Sequence, residues 1–338
     1  MNSAPDPPAS LTRYRREIEE ALRDAVGDRE DALTQAVRYV MGWEGIDGTP
    51  AAGGGKRIRP ALALLAADAV SNNPLSAMPG AVAVELVHNF SLVHDEVQDH
   101  DRERHHRPTA WAIVGEAQAI NVGDFLFTRA VAALTDGPGD IAPRMAALRV
   151  LNRAIARMIQ GQWQDIEFER RTDVTVDEYL DMVAGKTGAL LAAPLEIGAL
   201  LAGASPRVAA GLGRWGERVG LAFQAHDDFL GTWGDPALTG KSNTNDIERR
   251  KKTLPVVHGL ADPDAGAMLR RAYAAEGEPV DVAEVVRALE SAGADAFCRE
   301  SARSYSAEAE QVLADLELNR EATETLRAVA GFLVERAS

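Results

Sequence analysis

The chain has one cysteine, Cys298, few aromatic residues at 5%, and a deficit of positive charge, with 36 Lys and Arg against 51 Asp and Glu. A lone cysteine excludes an internal disulfide and reads as core filler. Scarce aromatic and β-branched alternation leaves little from which to build a sheet, whereas abundant Ala, Leu, Arg and Glu favour helix, so the expected class is all-α. A formal charge of −15 argues against nucleic acid or an anionic membrane surface as a general partner, and any phosphate-bearing ligand must find locally placed cations. No window of about eighteen residues is free of charge and breakers, the nearest being Thr187 to Gly203 with Pro194 and Glu196 inside it, so no transmembrane segment is expected. No secretory leader is evident, and the expected location is cytoplasmic. No repeat of solenoid length is visible.

What is present is acid in unexpected places. Asp95-Glu96-Val97-Gln98-Asp99 closes an apolar stretch, Ala81 to Val93, whose one charged residue is Glu85, and Asp227-Asp228 sits near the end of another apolar run. On a helix Asp95 and Asp99, at i and i+4, share one face. At about 4 Å and an effective dielectric near 20, a like-charge pair costs roughly 4 kcal/mol unless a cation lies between. Both clusters therefore read as halves of a metal site, and all-oxygen ligation selects a hard ion, with magnesium fitting best. The histidines at 94, 100, 105 and 106 do not have the spacing of a recognised zinc set. The basic run Arg249-Arg250-Lys251-Lys252 has no aromatic interleaving to suggest nucleic acid.

Along the chain, residues 1–10 hold three prolines and read as a disordered tail, with residues 11–338 as a single all-α domain. One helix is expected over Leu11 to Met41, a loop over the glycine-rich Glu44 to Gly55, a helix from Pro60 to about Val70, and a further one over Ala81 to Asp99. Helices are expected over Ala117 to Leu134, Ile141 to Gln164, Val176 to Ala202 and Val208 to Leu230. The Gly, Pro, Asn and Thr of Gly231 to Thr253 read as a mobile flap, and about four helices of structural packing follow.

The ordered set Gly53-Gly54-Gly55-Lys56-Arg57-Ile58-Arg59-Pro60, His88, Asp95 with Asp99, and Arg104 with Pro108-Thr109 resembles the trans-isoprenyl diphosphate synthases, a family of prenyltransferases. Gly123-Asp124, Gly161-Gln162 with Asp165, Lys186-Thr187, Phe223-Gln224 with Asp227-Asp228, Gly240-Lys241, Asp246 and Lys251 continue the pattern in order. The resemblance implies a helical bundle around a deep apolar central cavity, a homodimer, and magnesium, three ions bound with a diphosphate on Asp95, Asp99 and Asp227. It implies that Arg104, Lys186, Lys241 and Lys251 grip an allylic diphosphate, that Thr187 and Gln224, with Lys186, face the allylic cation, and that isopentenyl diphosphate sits on Lys56, Arg59, His88 and the residue at 105.

Three positions depart from the family pattern. Glu96 replaces an aspartate but keeps the charge, Gly231 stands where the second motif commonly ends in a third acid, and His105 replaces an arginine, losing its bidentate fork. A class I terpene cyclase, or a weakly active partner subunit of a heteromeric synthase, is the alternative reading; Lys56, Arg59 and His88 favour elongation, because a cyclase has no use for a second diphosphate cradle. Product length is expected to depend on Ser91 and Val87, roughly 6 and 12 Å below Asp95 at 1.5 Å per residue, and on the bulkier Phe90. A geranylgeranyl (C20) product is expected, with farnesyl (C15) second.

Overall fold

The computed structural model describes residues 8–51, 55–104, 107–235, 244–274 and 279–335, and nearly all regular structure among them is helical. In chain order the first eleven helices are α1 (Ala9–Thr12), α2 (Arg15–Val26), α3 (Ala32–Val40), α4 (Ile58–Ser71), α5 (Met78–Gln98), α6 (Ala110–Val114), α7 (Glu116–Thr135), α8 (Ile141–Phe168), α9 (Val176–Val183), α10 (Ala189–Leu201) and α11 (Pro206–Trp233). Helices Asn245–Glu248, Leu254–Ala261, Gly266–Ala274, Val282–Ser291, Ala294–Ala314 and Arg320–Glu335 follow. The described strands, β1 (Glu103–Arg104) and β2 (Arg107–Pro108), pair antiparallel.

The chain divides into two compact units, the first of Ala9–Asn152 and Ala193–Ala210, the second of Met1–Pro8, Arg153–Ala192 and Gly211–Ser338. In the first, α4 and the larger part of α5 are buried on every side, enclosing Leu62, Leu64, Val84, Leu86 and Val87, the mark of central helices. Helix α7 buries one stripe, Ala119, Val122, Leu126, Ala130 and Leu134, and is polar on its other side. The Ala193–Leu201 part of α10 meets α4 backbone to backbone, since a Cβ on Gly198 would fall 2.0 Å from the Ala63 carbonyl oxygen. In the second unit Phe168, Tyr179, Met182, Leu221, Leu254 and Val257 form a cluster that encloses Cys298. A second cluster gathers Ile247, Val256, Leu269, Tyr273 and Leu289.

Four sequence expectations need correction. The single helix over Leu11 to Met41 is broken in two places, most plainly where Gly27 takes φ 89° and Asp31 caps the next helix by accepting from the Thr34 N–H at 2.8 Å. Ala9 and Ser10 belong to α1 rather than to a tail, while residues 1–7 lie outside the described residues. The expected helix Val176 to Ala202 is interrupted by a π-turn, Ala184–Gly188. By length and composition Val176–Leu201 could cross a membrane, but this π-turn and Pro194 divide it and 61% of its most apolar window is buried in the protein, so no spanning segment is shown. Of the expected flap, Gly231–Trp233 is the end of α11, Asn245–Glu248 is helical, and residues 236–243 lie outside the described residues.

Candidate active site

Helix α5 ends where its acids stand because of a C-terminal cap. His100 adopts φ 53°, the Asp101 N–H bonds back to Glu96 O at 3.2 Å and the His100 N–H to Val97 O at 3.4 Å, a Schellman arrangement with histidine in the place glycine usually takes. The imidazole Nδ1 also lies 2.8 Å from Val97 O. Asp95, Glu96 and Asp99 thus crowd the last turn, where the helix dipole is already negative, and Asp95 and Asp99 are half-buried there. Burial raises the Glu96 carboxyl above the ordinary carboxylate range, with Asp95 and Asp101 adding to the rise and Arg104 opposing it. The helix dipole and the crowding of carboxylates both disfavour this charge, and among the described residues no group of three or more His, Cys, Asp or Glu is gathered closely enough to hold a metal ion by itself.

Beyond α5, Thr109 Oγ1 and Trp111 Nε1 each donate to Asp101 O at 2.8 Å, and Tyr39 Oη donates to Pro108 O at 2.6 Å, which pins the strand pair. Its β1 strand exposes Arg104. Residues 105–106 lie outside the described residues, so the expectation for His105 is not described.

At the start of α4 the basic residues divide by role. Arg57, in the left-handed region at φ 49°, is buried and donates to Glu85 Oε1 and Glu19 Oε1, both at 2.8 Å, and to Met41 O at 2.9 Å. Lys56 before it is exposed and Arg59 after it half-buried, with the Arg59 Nε shielded from solvent and lacking a hydrogen-bond partner. The half-buried His88 lies close enough to Arg59 and Arg104 to be affected by both: desolvation first, then Arg59, Arg104 and Arg57, push its pKa well below the usual histidine value.

On α5 below the acids, Val87, Phe90 and Ser91 are all buried, Ser91 Oγ donating to His88 O at 2.8 Å. The Phe90 ring is edge-on to His94 at 4.9 Å and tilted against Phe127 of α7 at 5.6 Å. Gly123 leaves room for His94, whose Nε2 a Cβ there would approach to 2.2 Å.

The second unit carries the other cluster. A capping box between Thr175 and Glu178 starts α9, and the π-turn follows its last turn. This turn packs backbone to backbone on α8, because a Cβ on Gly161 would lie 2.4 Å from the Lys186 nitrogen and one on Gly185 would lie 2.7 Å from Arg157 O. Inserted residues of this kind are frequent at functional sites, and here they turn Lys186 toward Asp165, with which it pairs, and bring Thr187 Oγ1 to 3.3 Å from Gln224 Oε1 on α11. Half-buried Asp227 follows one turn later. Its neighbour Asp228 is 5% exposed and fully engaged, accepting from Tyr179 Oη, from the Leu254 N–H at 2.8 Å and from Gln224 Nε2 at 2.9 Å. Burial pushes its carboxyl up to about 6, those three hydrogen bonds opposing the shift and Asp227 adding to it.

Where the second acid motif lacks a third carboxylate, a Cβ on Gly231 would meet Asp246 Oδ2 at 3.2 Å, so another acid already stands against that stretch of backbone. Lys251 is half-buried, its N–H bonded to Asp246 O at 2.9 Å. Lys252 is buried, donating to Glu169 O at 3.0 Å beneath the Tyr273 ring. Lys241 lies outside the described residues.

Comparisons with known proteins identify the family. A family model described as polyprenyl synthetase matches residues 49–290. The chain belongs to the polyprenyl synthetase family. It is 39% identical over 327 residues to a (2E,6E)-farnesyl diphosphate synthase of Mycobacterium tuberculosis, covering 94% of this chain and 90% of that one. It is 44% identical over 253 residues to a geranylgeranyl diphosphate synthase of the same organism, covering 75% of this chain and 72% of that one. Among solved structures it superposes on a polyprenyl synthetase from Streptomyces coelicolor A3(2) with TM-score 0.89 at 41% identity, covering 97% of this chain and 100% of that one. A geranylgeranyl pyrophosphate synthetase from Pyrococcus horikoshii Ot3 gives TM-score 0.86 at 32% identity, with 96% and 97% covered. The fold is the all-α isoprenoid synthase fold, and the chain is a prenyltransferase of the trans-isoprenyl diphosphate synthase family.

Asp165, visible in the motif order, gains its contact with Lys186 only from the fold. Tyr179 and Phe127 carry no local signal in the sequence; Tyr179 enters through Asp228 and Phe127 through its contact with Phe90.

Proposed function

We propose that the protein joins isopentenyl diphosphate to an allylic prenyl diphosphate, making a diphosphate five carbons longer, with C20 as the main product and C15 second. The observation that carries the reading is Arg59 beside His88, with an unpartnered buried Arg59 Nε, on the unit that also holds Asp95 and Asp99. A second anion site of that kind serves elongation and has no use in cyclisation. Lys56, Arg59, His88 and His105 bind isopentenyl diphosphate. Arg104, Lys186, Lys241 and Lys251 bind the allylic diphosphate, Lys186 exchanging its Asp165 partner for phosphate oxygen.

Asp95, Asp99 and Asp227 hold magnesium, three ions in all. When bound, magnesium neutralises the charge that develops on the departing diphosphate. As the allylic carbon–oxygen bond breaks, Thr187 and Gln224 turn oxygen dipoles toward the cation, and buried apolar walls keep water from it. The double bond of isopentenyl diphosphate attacks, the new carbon–carbon bond forms, and a proton is lost. Phe90, braced by Phe127 and lying between Ser91 and Val87 along α5, limits product length. A cytoplasmic homodimer completes the proposal. The exposed stripe Ile159, Trp163 and Ile166 on α8, at 52%, 73% and 38% exposure, offers a surface for a second copy.

Incubation of the purified protein with magnesium, farnesyl diphosphate and isopentenyl diphosphate tests the reading. A C20 diphosphate is expected; a hydrocarbon made without isopentenyl diphosphate would indicate a cyclase, and activity only after adding another chain would indicate a partner subunit. Phe90→Ala is expected to shift the product beyond C20, and an unchanged product would remove Phe90 as the limit.

A further inference from the structure

The adjacent acids of the second motif have different surroundings. Asp227 is half-buried, whereas Asp228 has both oxygens committed: Oδ2 to Tyr179 Oη and the Leu254 N–H, Oδ1 to Gln224 Nε2. A carboxylate only accepts, so it selects one of the two flip states of the Gln224 carboxamide, the one with nitrogen toward Asp228. Oε1 is then the end that meets Thr187 Oγ1 at 3.3 Å. The Tyr179 hydroxyl and the Leu254 N–H hold the carboxylate in turn, tying the start of Leu254–Ala261 and helix α9 to α11.

We propose that Asp228, held by Tyr179, is a positioning residue that fixes the Gln224 amide with its carbonyl oxygen on the side of Thr187, where the allylic cation forms. This rests on the functional reading above, in which Gln224 faces that cation. An amide flipped the other way would present N–H to positive charge, and dipoles aimed at developing charge carry about 10²–10³ in kcat when a single one is removed.

Asp228→Asn tests this with little change of shape. The new side-chain oxygen can still accept from Tyr179 and Leu254, but its NH₂ then faces Gln224, whose amide must turn to accept from it. The expected result is a melting temperature within a few degrees of the parent, KM for both substrates within about twofold, and kcat reduced on the order of 10²-fold. Gln224→Glu added to Asp228→Asn presents oxygen at both ends and is expected to regain at least tenfold of the lost kcat. A parental kcat in Asp228→Asn overturns the proposal. So does a double variant no faster than the single one, or a loss reversed by raising magnesium, which would make Asp228 a metal ligand.

One readout needs neither turnover nor a folded variant. In the parent labelled with ¹⁵N-glutamine, the Gln224 NH₂ should exchange slowly with solvent, as a group donating to a buried carboxylate does, and rapid exchange would overturn the proposal. Because that signal persists whether or not chain elongation occurs, failure of the orientation and failure of the functional reading are told apart.

Discussion

At the residue scale, position in the polar network decides what neighbouring like residues do. Arg57 lies between Lys56 and Arg59, yet it is the one fixed by Glu19 and Glu85, partners 38 and 28 residues away. Replacing Arg57 with Met leaves Glu85, at 4% exposure, buried without its cation, and the expected cost is about 3–5 kcal/mol, seen as a large fall in melting temperature. The Lys56→Met substitution, on an exposed side chain, should leave melting unchanged and raise KM for isopentenyl diphosphate. His88 gives a pH signature with a definite sign. Its folded pKa is depressed, so below about 6.5 the unfolded chain takes up a proton that the folded protein refuses. Stability contributed by the neutral ring is complete above that pH and is lost as pH falls, at up to about 1.4 kcal/mol per pH unit. Melting temperatures of the parent and His88→Gln should therefore diverge between pH 7 and pH 5 with the parent falling faster, and parallel curves would mean that burial and the Arg59, Arg104 and Arg57 field together do not depress the ring's pKa. The acids of α5 were legible in sequence because charge inside an apolar helix is locally anomalous. The separate duties of Lys56, Arg57 and Arg59 were not, because they depend on acids brought in by tertiary packing.

At the element scale, the site depends on two irregularities that helix periodicity conceals. The 3.6-residue pattern runs across Val176 to Ala202 without a visible gap, so the π-turn at Ala184–Gly188 could not be read from it, although Lys186 as the one charge there marked the place. Gly161 was legible as part of a motif, but its reason is steric and lies in another element. An alanine there would put Cβ 2.4 Å from the Lys186 nitrogen and 2.7 Å from Met182 O, backbone atoms that cannot swing aside. Gly161→Ala should therefore push α8 off the π-turn, costing about 1–3 kcal/mol of stability and displacing Lys186 and Thr187 together. Steady-state kinetics should show kcat falling more than KM for isopentenyl diphosphate rises, since the residues displaced are on the ionising side. Gly331→Ala, in Arg320–Glu335 with no atom within 4 Å, is the control and should be neutral or gain about 0.4–1 kcal/mol. Equal losses in both variants would remove the special role of the Gly161 contact.

At the scale of the whole molecule, helical class and motif order were legible because both are carried by local composition and spacing; the division into two compact units was not, since each unit gathers segments distant in sequence. The acid motifs fall on different units, Asp95 and Asp99 on the first and Asp227 on the second. In the proposed reaction both serve the ions of one diphosphate, which gives a test that does not depend on turnover. A chain of net charge −15 should gain little from pyrophosphate alone, and carboxylates alone bind magnesium weakly, so stabilisation should need both together. At about 100 times the dissociation constant the linkage is worth about 2.7 kcal/mol, enough to raise the melting temperature measurably. Asp95→Asn and Asp227→Asn should each abolish most of that rise while melting near the parent without ligand, because both side chains are half-buried and the change keeps their shape. A full magnesium–pyrophosphate shift retained by either variant would detach that motif from the metal and leave prenyl transfer to a different set of ligands.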